Sequence, residues 1–295
     1  MVHNAYCGVD IGGTTSSFLL RAAEDIKWFS GGFNFRELNI GAVEDILSVF
    51  TQDILSKHYV SGICFGIAGA SNSNKNKILE QKLSKQFPKT EFLIKNDAEI
   101  AFADALLTEE SGILLIQGTG SILYGKTKEK PLIRSGGWGY LFDEINGASS
   151  LGKHAIDVLI QILDGYKKDD VFLHAYESLF DADSLTEAIK QTYAEQSAAR
   201  YLARFAEPLF LLWNEGHAES NRILLHFIHN IAKHISHMCL THKFERPVKL
   251  YLSGGILKHQ HKFRETLVSY LPQWIEVQNK EIIPERGALE LISGN

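Results

Sequence analysis

The chain has 295 residues, longer than most single domains, and a division into two is expected. Hydrophobic residues make up 45% and charged residues 22%, ordinary globular proportions with material for two cores. A net charge of −5 without a basic stripe argues against a nucleic-acid partner, and no apolar run reaches the roughly 20 residues needed to cross a bilayer.

The N-terminus leads straight into an apolar strand with no charged-then-apolar leader, so a soluble, cytoplasmic protein without a membrane partner is expected. Cys7, Cys64 and Cys239 lie far apart in apolar surroundings and read as small core residues in a reducing compartment.

In chain order, Tyr6–Asp10 and Ser16–Leu20 flank the Gly12-Gly13 turn as a hairpin, with residues 26–29 as a third strand. Residues 43–57 carry apolar positions at helical period; 62–67 reads as a buried strand, 75–87 as a helix and 92–94 as a strand, with a helix opening near Asp97. The order then begins again. Residues 113–117 and 121–126 make a second hairpin around Gly118-Thr119-Gly120, and 132–134 a further strand. The stretch from Ala148 to Leu240 is mostly helical, 249–253 is a late strand, and another helix follows Gly254-Gly255. Mixed elements in a repeated order predict an α/β protein of two domains, 1–106 and 107–295, with helical insertions in the second. Its last helix is free to pack back on the first.

Four stretches have the residue types that chemistry needs. In Gly8-Val-Asp-Ile-Gly-Gly-Thr-Thr-Ser16 an apolar strand ends at Asp10 and turns through Gly12 and Gly13 into Thr14 and Thr15. Glycines bring backbone N–H groups close to a phosphate, hydroxyls add donors, and a strand-end aspartate can hold Mg²⁺ through water. Taken alone, an ordinary hairpin turn is the better reading. The Gly118-Thr119-Gly120-Ser121 turn repeats the arrangement, and two such hairpins together look like phosphate loops closing on one nucleotide. Gly120–Thr127 also matches the pattern G-x-x-x-x-G-K-[ST]. That motif requires a following helix, whereas Ile122, Leu123 and Tyr124 are strand formers and 128–131 reads as a turn, so the match is rejected.

Lys95-Asn96-Asp97-Ala98-Glu99 joins a strand to a helix; Asp97 there could accept the proton of an attacking hydroxyl, or Asn96 or Asp97 could simply cap the helix. Gly136-Gly137-Trp138-Gly139, followed by the acids Asp143 and Glu144, suits a polyhydroxylated ring and equally suits a glycine-rich connection.

With these stretches in order, the chain resembles the actin-like sugar kinases. Within them it is most similar to the N-acetylglucosamine kinases and bacterial glucosamine kinases of the BadF/BadG/BcrA/BcrD-type ATPase family. The stretches that carry the resemblance are Gly8–Thr15, Gly66–Ala70, Asn96–Ala98, Gly112–Ser121, Gly136–Leu141, Leu252–Ile256 and Pro284–Leu289.

The resemblance implies two ribonuclease-H-like domains with ATP in the cleft between them. It implies Asp10 for the metal, Gly12, Gly13, Thr14, Thr15, Gly118, Thr119, Gly120 and Ser121 for the phosphates, and Gly254 and Gly255 for the adenosine. Asp97 would be the base. The amino sugar would lie near Ala68, Gly69, Asn96, Asp97, Gly137 and Trp138. The family's Gly-Asp-Glu-Gly-Ser run is altered here: Asp143-Glu144-Ile145-Asn146-Gly147 stands in its place, so either Glu144 or Asp143 takes the sugar-binding role. The early sugar-contacting asparagine is Asn39 or Asn34, of which Asn39 fits better.

The expected activity is ATP- and Mg²⁺-dependent phosphorylation of an amino sugar, N-acetylglucosamine first and glucosamine as the alternative, at O6. A non-catalytic ATP- or sugar-binding sensor is the alternative of another class, and a reductase-type ATPase activator is disfavoured because the scattered cysteines do not suit an iron–sulfur cluster. Leu202–Trp213 is expected as core or as a homodimer face. His226, His229, His234 and His237 share one helix face, where a solvated surface is favoured over a metal site.

Overall fold

The computed structural model describes residues 5–12, 15–20, 27–30, 35, 38–142, 147–179, 186, 190, 192–193 and 198–294. The chain forms two compact units, Met1–Glu109 with Lys280–Asn295 and Glu110–Asn279. Each is built on a five-stranded sheet.

The first unit opens with strands β1 (Tyr6–Ile11), β2 (Thr15–Leu20) and β3 (Lys27–Ser30), and continues with helix α1 (Ile40–Lys57), β4 (Gly62–Ile67), α2 (Ser73–Gln86), β5 (Glu91–Asn96) and α3 (Asp97–Ala105). Its sheet order is β3-β2-β1-β4-β5. β1 is antiparallel to β2, placing Asp10 opposite Ser17, and parallel to β4, placing Asp10 opposite Gly66. β4 is buried along its whole length, as a central parallel strand covered on both faces must be.

The second unit repeats this order: β6 (Gly112–Gln117), β7 (Ser121–Lys126), β8 (Ile133–Gly136), β9 (Val248–Ser253) and β10 (Ile275–Val277) lie as β8-β7-β6-β9-β10. Both units therefore have the strand order 3-2-1-4-5 of a ribonuclease-H-like fold, with the first three strands antiparallel and the last two added in parallel. The three-residue β10 was not expected from the sequence. Between β8 and β9 lie α4 (Ala148–Leu163), α5 (Asp170–Tyr176), α6 (Ala198–Arg204), α7 (Ala206–Asn214) and α8 (Ala218–Thr241); α9 (Gly255–His259) and α10 (His261–Tyr270) separate β9 from β10.

These helices share one apolar cluster with the second sheet, in which Leu209, Phe227, Ile231 and Leu250 are fully or almost fully buried. Most of the apolar side of 202–213 is thereby spent as core. On α8 the histidines His226, His229 and His237 face outward, and among the described residues no three His, Cys, Asp or Glu groups could hold a metal. Cys7, Cys64 and Cys239 are free and buried, and burial raises all three thiols, which removes them as nucleophiles. No described helix is long and apolar enough to cross a membrane.

The C-terminal helix α11 (Pro284–Ser293) belongs to the first unit, where it packs on α3, β1 and β4. Proline at its first turn supplies the fixed φ a helix start tolerates. Contact is direct: a Cβ on Gly8 would stand 2.0 Å from the Glu285 carbonyl oxygen, and one on Gly287 would stand 1.9 Å from that of Ile100. Asp104, fully buried on α3, fixes the helix start. It accepts both an Nε and an Nη2 donor of Arg286, the latter at 2.9 Å, and the Ile283 N–H at 2.9 Å.

Gly287→Ala tests this seating. Alanine gains up to about 1 kcal/mol of helix propensity, but the backbone clash outweighs it, and a net loss of about 1–3 kcal/mol is expected. Thermal unfolding checks this: an unchanged or raised midpoint would show that α11 does not lie against α3 as described.

Candidate functional site

In the first unit the chemistry gathers where α3 and α11 begin. Asp10 sits at the end of β1. Asp97 is the first residue of α3, whose start is fixed by reciprocal bonds: the Ala98 N–H donates to Asn96 Oδ1 at 3.0 Å and the Asn96 N–H to Glu99 Oε2 at 2.9 Å. Asn96 is thus occupied as a helix cap. Asp97 Oδ1 also accepts the Ala98 N–H, at 2.9 Å. Capping and chemistry are compatible here, because the residue before Asp97 does most of the capping.

Burial, together with the negative charges of Glu285 and Asp97, pushes the Asp10 carboxyl up to about 8. Glu285, only 4% exposed, accepts a hydrogen bond from the Ser17 hydroxyl. Sequence reasoning missed Glu285 and Ser17. The parity of the β1–β2 hairpin could have placed Ser17 beside Asp10, but nothing local marks Glu285, since an acid in a first helical turn is common for dipole reasons alone.

The loop after β4 lies at the same end of β1. The Ala68 N–H donates to the Ile11 carbonyl at 3.0 Å, and Gly69 takes a positive φ of 82°. Asn39 caps α1, accepting the Ala42 N–H at 2.9 Å on an exposed surface. Gly12 follows the end of β1, and Thr15 opens β2. Gly13, Thr14 and Asn34 lie outside the described residues.

In the second unit the Gly118–Ser121 turn is seated on the start of α4. The N–H groups of Ala148 and Ser149 donate to the Gly118 and Thr119 carbonyls at 2.8 and 3.0 Å, so the turn itself caps the helix. Thr119 and Gly120 are exposed, and the space beside Gly118 and Gly120 is open. The Ser121 hydroxyl is buried and has no hydrogen-bond partner among the described residues. A buried donor of this kind fits a ligand oxygen.

Gly254 packs on the base of the same turn. Its φ is 95°, and a Cβ would lie 2.2 Å from the Gln117 carbonyl oxygen, while the space beside Gly255 is open. The structure therefore brings Gly118–Ser121 and Gly254-Gly255 together within one unit. Strand β7 occupies residues 121–126, and a turn closes between Thr127 and Lys130, so Gly120–Thr127 has no helix for a nucleotide-binding P-loop to enter.

Gly136 and Gly137 stand opposite Ile122 on β7, just past Ser121. Arg134, also missed from sequence, holds this loop: its Nε and Nη2 donate to the carbonyls of Gly136 and Gly137 at 3.0 and 2.7 Å, and its guanidinium lies 4.7 Å from the Trp138 ring centroid. Trp138 remains 69% exposed, an unusual cost for an indole that stacking on a ligand would offset. Asp143 and Glu144 lie outside the described residues.

The donor chemistry of the first unit suits a hard cation. Asp10 has the carboxylates of Glu285 and Asp97 within electrostatic reach, oxygen donors of the kind that a hard cation such as Mg²⁺ takes together with water and substrate phosphates.

A pH dependence follows from Asp10. Unfolded, an aspartate ionises near about pH 4, so between there and about 8 the folded protein holds a proton that the unfolded chain has lost. Stability from this group is therefore greatest below that window and falls as pH rises through it. In chelator, Asp10→Asn is expected to raise the unfolding midpoint more near pH 8 than near pH 5. An equal effect at both would mean that Asp10 ionises normally.

The model of the BadF/BadG/BcrA/BcrD ATPase family matches residues 7–291. An N-acetylmuramic acid/N-acetylglucosamine kinase of Clostridium acetobutylicum is 28% identical over 234 residues, 69% of this chain and 76% of that protein. An N-acetyl-D-glucosamine kinase of Dictyostelium discoideum is 24% identical over 153 residues, 46% of this chain and 48% of that protein. Among solved structures, a structural-genomics protein of Chromobacterium violaceum assigned as an N-acetylglucosamine kinase superposes with a TM-score of 0.71 at 19% identity, over 98% of both chains. A ROK family glucokinase of Streptomyces griseus, solved with glucose and AMPPNP, gives 0.60 at 11% identity over 99% and 100%. Shared architecture and a family match along nearly the whole chain agree, and the chain belongs to the BadF/BadG/BcrA/BcrD ATPase family.

Proposed function

We propose that this protein is an ATP-dependent kinase that phosphorylates an amino sugar, N-acetylglucosamine foremost, on its O6 hydroxyl. The observation that carries the reading is the pairing of roles at one end of the first sheet: Asp97 at a helix start, within electrostatic reach of Asp10 at a strand end. One carboxylate there would serve a hydroxyl nucleophile and the other a cation.

In the reaction, the sugar oxygen forms a bond to the γ-phosphorus of ATP as the bond from that phosphorus to the β,γ-bridging oxygen breaks, and ADP leaves. The proton of the attacking hydroxyl passes to Asp97, which also orients it. Asp10 would hold Mg²⁺, which when bound offsets charge on the phosphate oxygens. Thr119, Gly120 and the buried Ser121 hydroxyl are the groups of the second unit suited to the phosphates, with Gly254 and Gly255 beside them for the nucleoside. For the sugar, Ala68 and Gly69 offer close backbone approach, and Trp138 an apolar face steadied by Arg134.

The names of both curated relatives favour an acetamido sugar over the free amine of glucosamine. The first of them also brings N-acetylmuramic acid into consideration, a sugar that carries a lactyl ether beside the acetamido group.

ATP consumption with Mg²⁺ across N-acetylglucosamine, N-acetylmuramic acid, glucosamine, N-acetylmannosamine and glucose tests the reading, with Asp97→Asn as the variant. Turnover is expected to depend on the acetamido sugars, and the variant to lose about 10²–10⁴ in kcat. Near-normal turnover in the variant would remove Asp97 as the base, and turnover with no sugar dependence would favour a sensor or another acceptor.

A further inference from the structure

Behind Asp10 lies a second carboxylate that the reaction above does not use. Glu285 is almost fully buried, and so is its hydrogen-bond donor Ser17, at 3% exposure. Ser17 stands directly opposite Asp10 in the β1–β2 register. Gly8, two residues before Asp10 on the same face of β1, lets the first turn of α11 come against the strand. The arrangement is thus specific: one strand pair, one glycine and one helix start together place Glu285 beside Asp10.

Packing does not explain a carboxylate there. Burying one is costly unless it is neutralised or well bonded, and an apolar side chain would fill the space at lower cost. Arg286, its neighbour in sequence, is engaged with Asp104. The charges that act on Asp10 come from Glu285 and Asp97, both negative. A group that destabilises its own surroundings in this way is expected to act on something that arrives later.

We propose that Glu285, held by Ser17, is a positioning residue for Asp10: it draws the serine hydroxyl away from the Asp10 carboxylate and sets a second negative charge behind it, so that Asp10 stays available to a divalent cation and binds it more tightly than a lone aspartate would. The inference rests on the assignment of Asp10 to Mg²⁺. Ser17 has a single proton to donate; given to Glu285, it cannot occupy the oxygen of Asp10 that a cation or its water needs. Glu285 itself need not touch the ion.

The test is Mn²⁺ binding to the full-length protein with ADP, read from the free-ion electron paramagnetic resonance signal, together with thermal unfolding in chelator. Glu285→Gln keeps the volume and an acceptor for Ser17 and removes only the charge. Its Mn²⁺ dissociation constant is expected to rise about tenfold, the size of a unit charge acting through a partly screened medium, while its unfolding midpoint stays level or rises. Glu285→Asp keeps the charge and is expected to bind Mn²⁺ within about threefold of the parent, well short of the full effect of losing the charge.

Unchanged binding in Glu285→Gln overturns the proposal. So does a fall in both binding and midpoint, which a packing defect would give, or an equal loss in Glu285→Asp. Asp10→Asn separates the two readings. If it leaves Mn²⁺ binding intact, the assignment of Asp10 fails; if it abolishes binding while Glu285→Gln does not weaken it, only the role of Glu285 fails.

Discussion

A helix that lies on a sheet is usually held off it by the side chains of both. In the first unit of this protein that spacer is missing where Gly8 on β1 meets α11, and the same absence recurs where Gly287 on α11 meets α3, so that backbone meets backbone at both. Such contact fixes the helix in register as well as in distance, because a slip of one residue would bring a side chain into the gap. The buried Asp104, bonded to Arg286 and to the Ile283 N–H, sets the same register from the α3 side. Much else at this end of the sheet depends on that seating. It brings the last residues of the chain to the first strand, lays α3 and α11 side by side, and delivers Glu285 to the hairpin that carries Asp10 and Ser17.

The two units use one topology for different electrostatic tasks. In each, the first two strands form a hairpin whose turn follows the end of a buried strand. The next-to-last residue of that strand is acidic in the first unit, Asp10, with two further acids near it. At the matching place in the second, β6 carries the apolar Ile116 before the buried Gln117 that ends it, and the turn presents glycines, Thr119 and the buried Ser121 hydroxyl. Negative charge in the first suits a cation and a proton acceptor; neutral donors in the second suit phosphate oxygens, which an acid would repel. One strand order thus carries two turns of different chemistry, neither with a basic side chain.

Much of this was legible in the sequence because it is local. The two hairpins, the strand–helix junction at Asp97 and the glycine pair at Gly254 each announce themselves within ten residues, through alternation, capping residues and glycines. The rejection of Gly120–Thr127 as a nucleotide loop was also local, since strand formers filled it. What was not legible is non-local. Glu285 meets Ser17 across most of the chain, and Asp104 meets Arg286 likewise; neither pair leaves a mark in a window of sequence. Arg134 reads as an ordinary strand residue until its guanidinium is seen on the Trp138 ring. The strand β10 is too short for alternation to reveal, and only its pairing with β9 makes it a strand. The histidine row on α8 shows the converse: a conspicuous local pattern that the fold splits, His226, His229 and His237 facing outward and His234 half-buried.

The most direct measurement is the product itself. Protein incubated with ATP, Mg²⁺ and N-acetylglucosamine carrying ¹³C at carbon 6 should give, by ³¹P NMR, ADP and a new phosphomonoester coupled to that carbon. Release of inorganic phosphate without a sugar ester, or a phosphate coupled to a different carbon, would contradict the account.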